Sequence, residues 1–429
     1  MCAQPAEQAF FPLDEELELL PGQLTPSLQE DLVRLSAWMP FERAGKELQH
    51  FRQVNVSRPT AERLTEAAGA VYVARQTAEV QRIEKELPPA PAGPRQQFLS
   101  VDGAMVPLVD GEWSEVKTLD IGEVQPPVEV KGEQVIRTGK HSYFSRLTDS
   151  ETFQRLSLVE THRRGVETAQ AVGAVTDGSD WIQGFVDYHR PDAERILDFP
   201  HAGEHLNTVG QAAFGEGSSE AQSWLVDQLH HLKHDGPDSV LTEVRRLVAT
   251  RPDQPDLGKE LAYLEKRAAH MAYPAFRAAG WPIGDGAVES ANKLVVEARL
   301  KGSGMHWARS HVDPMLALRN IVCNDRWEEA WPQIVSTLRQ QERQRRTERR
   351  HKRQASITQP VAAPVLSADS DSASAAARGG VEMKRPASKP PRQSVPGERR
   401  RRAANHPWRR MPIGRERFMP ATKDPDAKL

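Results

Sequence analysis

Residues 286–307, GAVESANKLVVEARLKGSGMHW, set a carboxylate, an amide and several basic groups on one short helix beside a glycine-rich turn. Glu289, Asn292, Lys293 and Glu297 fall on one helical face, while Val288, Leu294, Val295 and Ala298 can pack behind it. That composition suits phosphate and metal, although a lone charged stripe reads equally well as a solvated face. Upstream, the segments 98–103 (FLSVDG) and 172–178 (VGAVTDG) both run apolar residues into an aspartate followed by glycine. A buried strand ending in an acid delivers a carboxylate to the rim of a sheet, so Asp102 and Asp177 are candidates for one site. Each Asp-Gly taken singly is also a plain turn signal. Hard oxygen donors of this kind suit Mg²⁺ or Mn²⁺.

The elements that must carry these acids are legible in outline. Strands are expected over 97–107, 113–124 and 142–146, then a helix from Ser150, with Ser150 as its cap and Phe153, Leu156 and Val159 in helical phase. A strand ending in Asp177, a helix over 179–189 and a strand over 195–199 follow. The order β-β-β-α-β-α-β makes the fold class α/β. Asp198, in Ile196-Leu197-Asp198-Phe199-Pro200-His201, again puts an acid at a strand end and rivals Asp177. His201, Glu204 and His205 come soon after it. That cluster leaves three readings open: a zinc site, helix capping and packing, or contact with the active site.

These residues resemble a family. VDGAMVPL at 101–108, VTDGSDWI at 175–182, ILDFPHAGEHL at 196–206 and AVESANKLVVEARLKGSGMHW at 287–307 are similar to the transposases of the ISKra4 group of bacterial insertion sequences, as is NHPWRR at 405–410. The blocks span most of residues 10–335, and the last is the most specific. The resemblance implies a ribonuclease H-like catalytic core of the DDE type, with the three acids carried over as Asp102, Asp177 and Glu289. It implies two Mg²⁺ (or Mn²⁺) ions, Asp102 bridging both, Asp177 completing the first site and Glu289 the second. Two such ions activate the attacking oxygen and stabilise the departing one in an in-line displacement at phosphorus. Asp198, His201, His205 and Asn292 are then supporting residues. The implied partners are double-stranded DNA, as element ends and target, and further copies of the chain in a homodimer or higher oligomer. A decayed or retained DNA-binding protein without catalysis is the alternative.

Lys293, Arg299, Lys301 and His306 are candidate DNA contacts around Glu289, with a solvated face as the competing reading. Trp307 is a core anchor or a stacking surface. Residues 41–48 and 59–68 can form a helix-turn-helix with Ser57 as N-cap, whose second helix would offer Arg58 and Arg63 to DNA.

The organisation expected is a segment 1–37, a helical region 38–87, a Pro-rich linker 88–95, a first part of the core 96–202, a helical insertion 203–280, a third-acid segment 281–335 and a basic, largely disordered tail 336–429. Relatives place paired cysteines of a small zinc module before the segment matching residues 10–15. Met1-Cys2-Ala3-Gln4-Pro5 stands there instead, so residues 1–37 are expected to be the remnant of a truncated module.

Composition narrows the class. With only Cys2 and Cys323 among 429 residues, no disulfide framework or CxxC zinc motif is available. No secretory signal and no long apolar run is visible, so a cytoplasmic protein with no membrane partner is expected. The formal charge of −2 hides polarity: residues 341–429 hold 22 Lys and Arg against 9 Asp and Glu, a net +13 that leaves −15 on the rest. Such a tail can hold DNA by salt-sensitive phosphate contacts or simply solubilise the chain.

Overall fold

Five strands form one mixed sheet, and the alternation of side chains along its central strand decides what each face carries. In the computed structural model, residues 24–358 are described, apart from 131, 132 and 285. Strand β1 (Gln96–Pro107) pairs antiparallel with β2 (Trp113–Val124), and β2 with β5 (Thr138–Arg146). A small hairpin of β3 (Val128–Val130) and β4 (Glu133–Val135) lies between them in sequence. On the other side β1 pairs parallel with β6 (Ala171–Thr176), and β6 with β7 (Glu194–Leu197), giving the order β5-β2-β1-β6-β7.

Odd-numbered Leu99 and Val101 join Leu119, Ile121 and Phe144 against Phe153 of α4 (Ser150–Leu156) and Ile182, Phe185 and Val186 of α6 (Asp180–His189). A short helix α5 (Leu158–Arg163) separates those two in sequence. Even-numbered Ala104 and Val106 turn the other way, onto Val295, Val296, Leu300 and Trp307. Because successive strand residues point to opposite faces, Asp102 belongs to the Ala104 face.

The insertion follows β7 as α7 (Phe199–Phe214), α8 (Ser219–His234), α9 (Pro237–Thr250) and α10 (Pro255–Lys266), then a 3₁₀ turn over Ala268–Met271 and α11 (Tyr273–Ala278). Its apolar side chains, among them Leu206, Val209, Val244 and Tyr273, pack with Phe98, Val175 and Ile196 of the sheet. The helix bearing Glu289 starts as α12 (Gly286–Ala291), widens into a π-helical turn over Asn292–Glu297 and closes with Ala298–Leu300. Helix α13 (Arg309–Cys323) and helix α14 (Trp327–Thr358) complete the described chain.

Ahead of the sheet stand α1 (Pro26–Trp38), α2 (Phe41–Arg52) and α3 (Arg58–Glu86). Ser57 caps α3 by accepting from the Thr60 amide. Helix α3 crosses α13 so closely that a β-carbon on Gly69 would sit 2.1 Å from the Pro314 carbonyl oxygen, which only glycine permits. The Pro-rich linker is strapped down, with the Gly93 amide donating to Thr168 Oγ1 at 2.8 Å.

Several expectations need correction. The α4 cap is Asp149, which accepts from the Thr152 amide at 2.8 Å; Ser150 is already helical. The strand expected over 195–199 stops at Leu197, because Asp198 caps α7. The second helix of the expected helix-turn-helix runs 29 residues, buried through Ala61, Leu64 and Ala68. The boundaries at 37/38, 202/203 and 335/336 fall inside helices α1, α7 and α14. The Cys2 position and the tail beyond 358 lie outside the described residues. No helix among the described residues is long and apolar enough to cross a membrane.

Candidate active site

Parallel pairing of β1 with β6 ends at Leu99 opposite Ala174, and Asp102 and Asp177 each come three residues later. The two acids therefore leave neighbouring strands at equivalent depths. Asp102 is half-buried, and its carboxyl is pushed above the usual aspartate range, first by burial and further by the charges of Asp177 and Glu115. Opposing this, the Gly103 amide and the Asn292 side chain hydrogen-bond to it. Asn292 Nδ2 donates to Asp102 Oδ2 at 2.8 Å, from a side chain only 4% exposed. Its Oδ1 is buried and has no hydrogen-bond partner.

The Asp177 loop is held from the insertion. Tyr263 of α10 donates its hydroxyl to the Asp177 carbonyl at 2.6 Å, and Arg267 donates Nε and Nη2 to the Gly178 carbonyl at 2.9 and 2.6 Å. Gly178 is at φ +74°, and a β-carbon there would stand 2.6 Å from Arg267 Nε, so glycine is required twice over. The Asp177 carboxylate accepts from the Ser179 amide at 2.8 Å, which shapes the entry to α6.

Glu289 does not join this pair. It is exposed and pairs with Lys293 one turn on, and it is Asn292 that reaches Asp102. Among the described residues, one group of three His, Cys, Asp or Glu ligand atoms lies within 4.8 Å of one another: Glu62, Glu66 and His311. The expected three-acid cluster is thus not closed in this conformation. Asp102 and Asp177 offer hard oxygen donors of the kind that suits a divalent cation. The place assigned to a second ion lacks its Glu289 carboxylate here.

Asp198 sits beside Asp177 by register, since Thr176 pairs with Leu197. Its carboxylate accepts from the His201 amide at 2.9 Å, and its own amide donates to the Thr176 carbonyl at 2.8 Å. His205 pairs with Glu260 at 2.5 Å and stacks on Tyr263 with ring centroids 3.7 Å apart. His201 lies 3.4 Å from Glu204. Capping and packing account for this cluster, and its side chains do not converge on a zinc centre.

Of the expected DNA contacts, Lys293 is exposed, Lys301 pairs with Glu297 at 2.6 Å, and Arg58 and Arg63 are exposed near the start of α3. A His306 ring nitrogen lies 3.3 Å from the Leu108 carbonyl. Arg299 is a correction. It is 2% exposed, donates Nε to the Ser36 carbonyl at 2.9 Å and lies between the rings of Phe41 and Trp307. Trp307 is a core anchor, 7% exposed, with its indole N–H donating to the Leu300 carbonyl at 3.1 Å.

Sequence reasoning missed Glu115, Arg319, Tyr263 and Arg267. Glu115 packs against Gly103, and its partner Lys117, buried on β2, bonds it at 2.8 Å. An acid and a lysine two apart on β2 were the available signal. Arg319 donates Nε to the Val295 carbonyl of the π-turn at 3.1 Å and Nη1 to the Ala37 carbonyl at 3.1 Å. A further buried acid, Asp120, holds His141 Nδ1 at 2.9 Å beside a cavity of about 840 Å³ that Arg137 and Arg277 also line. Asp120 draws the His141 pKa upward, while burial raises that of Asp120. No protein-family model matches the chain, and comparison with curated proteins finds no relative.

Proposed function

We propose that the chain is a metal-dependent DNA strand-transfer enzyme, a DDE-type transposase with a ribonuclease H-like core, acting on the ends of its own insertion sequence. The observation that carries this reading is the placement of Asp102 and Asp177 at equivalent depths on adjacent parallel strands, with a buried amide on Asp102. The sheet order β5-β2-β1-β6-β7 and the helical insertion ahead of the third-acid helix support the same reading.

A divalent cation, Mg²⁺ or Mn²⁺, would supply charge stabilisation at phosphorus and an activated oxygen. Asp102 and Asp177 would hold it, and Asn292 would fix the Asp102 carboxylate. Tyr263 and Arg267 keep the Asp177 loop in place through its carbonyls. Lys293 is the exposed cation that a DNA phosphate would draw away from Glu289, releasing that carboxylate for the second ion. Arg58, Arg63, Lys301 and His306 are further candidate contacts, and two element ends call for a dimer or higher oligomer.

The exposed, ion-paired Glu289 favours a second reading, a DNA-binding protein without catalysis. Mg²⁺- or Mn²⁺-dependent cleavage of a DNA fragment bearing the element end separates the two. Cleavage should be lost in Asp102→Asn, Asp177→Asn and Glu289→Gln and retained in part in Asp198→Asn. Binding without cleavage by the native chain would support the second reading.

A further inference from the structure

We propose a second metal site, for a divalent transition ion such as Zn²⁺, formed by Glu62 and Glu66 of α3 and His311 of α13. The inference is independent of the strand-transfer reading. The three ligand atoms lie within 4.8 Å of one another although they come from helices more than 240 residues apart in the chain. Glu62 and Glu66 are one turn apart and so share a helical face.

Two observations point to a missing partner. His311 Nδ1 stands 2.8 Å from Glu66 Oε1, yet that buried oxygen makes no hydrogen bond. The contact is an ion pair without hydrogen-bond alignment, an arrangement that two ligands of one cation would also give. The second is charge. Two carboxylates converge here, and Arg58 comes no closer to Glu62 than 4.0 Å. Arg299 lines the same cavity; its Nε donates to the Ser36 carbonyl and its guanidinium lies against two aromatic rings, while its buried Nη2 has no hydrogen-bond partner.

Imidazole with two carboxylates selects a borderline ion such as Zn²⁺ over Mg²⁺, which prefers oxygen donors alone and keeps its water. Three protein ligands leave a fourth position open toward a cavity of about 530 Å³ that His306 and Met305 also line. A bound ion would clamp α3 to α13.

The full chain, stripped with EDTA, is titrated with Zn²⁺ by calorimetry, and with Co²⁺ by visible absorption. Native protein and the Asp102→Asn variant should each take up one Zn²⁺ at this site. Affinity should fall at least tenfold in His311→Ala and in Glu62→Gln, both altering partly exposed side chains, and the Co²⁺ band should be lost in His311→Ala. Zn²⁺ should also raise the Tm of native protein by roughly 5 °C at a hundredfold excess over Kd, and not that of His311→Ala. Absence of saturable binding overturns the proposal. So does binding that survives His311→Ala, or that disappears only in Asp102→Asn.

Discussion

Replacing Arg299 tests whether a basic residue in the segment 286–307 serves DNA or the fold. Its side chain makes one charged hydrogen bond, to the Ser36 carbonyl at 2.9 Å, worth about 1.5–3 kcal/mol in general. It also lies 4.8 Å from the Phe41 ring centroid and 5.0 Å from that of Trp307, contacts worth ~0.5–2 kcal/mol each when desolvated. Against these stands the cost of a buried cation, which burial expresses by drawing the Arg299 pKa down to about 10. Removing that charge returns several kcal/mol of desolvation. Arg299→Ala also leaves a cavity among Phe41, Trp307 and their neighbours, so a net loss of about 2–4 kcal/mol is expected. Arg299→Met fills the space and sheds the charge, and should cost about 1–2 kcal/mol. Urea denaturation of both variants gives the magnitudes. Duplex binding by Arg299→Met, followed against salt, gives the role: its slope should match the native chain, whereas a lost phosphate contact lowers it by about one. Native-like stability in Arg299→Ala together with a reduced slope in Arg299→Met would refute the reasoning.

Two other outcomes follow from the site. Asn292→Ala removes the donor on Asp102 Oδ2 and should weaken Mn²⁺ binding by roughly 10–100-fold, the usual effect of losing a residue that orients a ligand; unchanged affinity in an Mn²⁺ titration would exclude that role. The Asp120–His141 pair sets a pH dependence whose sign is determined by the raised His141 pKa. Its stabilisation is complete below the ordinary imidazole value of about 6.5 and is lost as pH rises through the higher folded value. Tm measured from about pH 6 to 9 should decline for the native chain. In Asp120→Asn that decline should be largely gone, and an identical slope in both would count against the pair.

The core strands were legible because each alternates or runs apolar into a turn signal: β1 and β2 lie within one residue of their expected bounds. The Asp102–Asp177 adjacency followed from the same pattern. Glu289 came from the resemblance and from no local pattern; the residue that reaches Asp102 is Asn292, at the start of a π-helical turn that Arg319 holds through carbonyls. The face that reaches Asp102 is centred on Asn292, and Glu289 is turned toward solvent. Tyr263 and Arg267 meet the Asp177 loop across 86 and 89 residues of chain, a separation over which no local pattern speaks. Arg299 looked like a phosphate contact because sequence shows its charge and not the Phe41 ring brought to it from α2. The length of α3 was hidden for a related reason: it packs against both α13 and α14, so it has no single apolar stripe to follow.

Helix α3 has a mechanical meaning. Its 29 residues make a rod of about 43 Å. One end carries Arg58 and Arg63, and near the other Glu84 grips Arg155 of α4 with two hydrogen bonds of 2.6 Å. Between them Gln76 bonds Arg146 of β5, and Arg75 bonds Gln333 of α14 at 2.8 Å. The helix is thus tied along its length to the sheet, to α4 and to α14. The linker at 88–95, for all its prolines, is no seam: a fragment cut there would carry an open apolar flank where Leu64, Ala68 and Val71 had been, and the two pieces would behave as halves of one broken body.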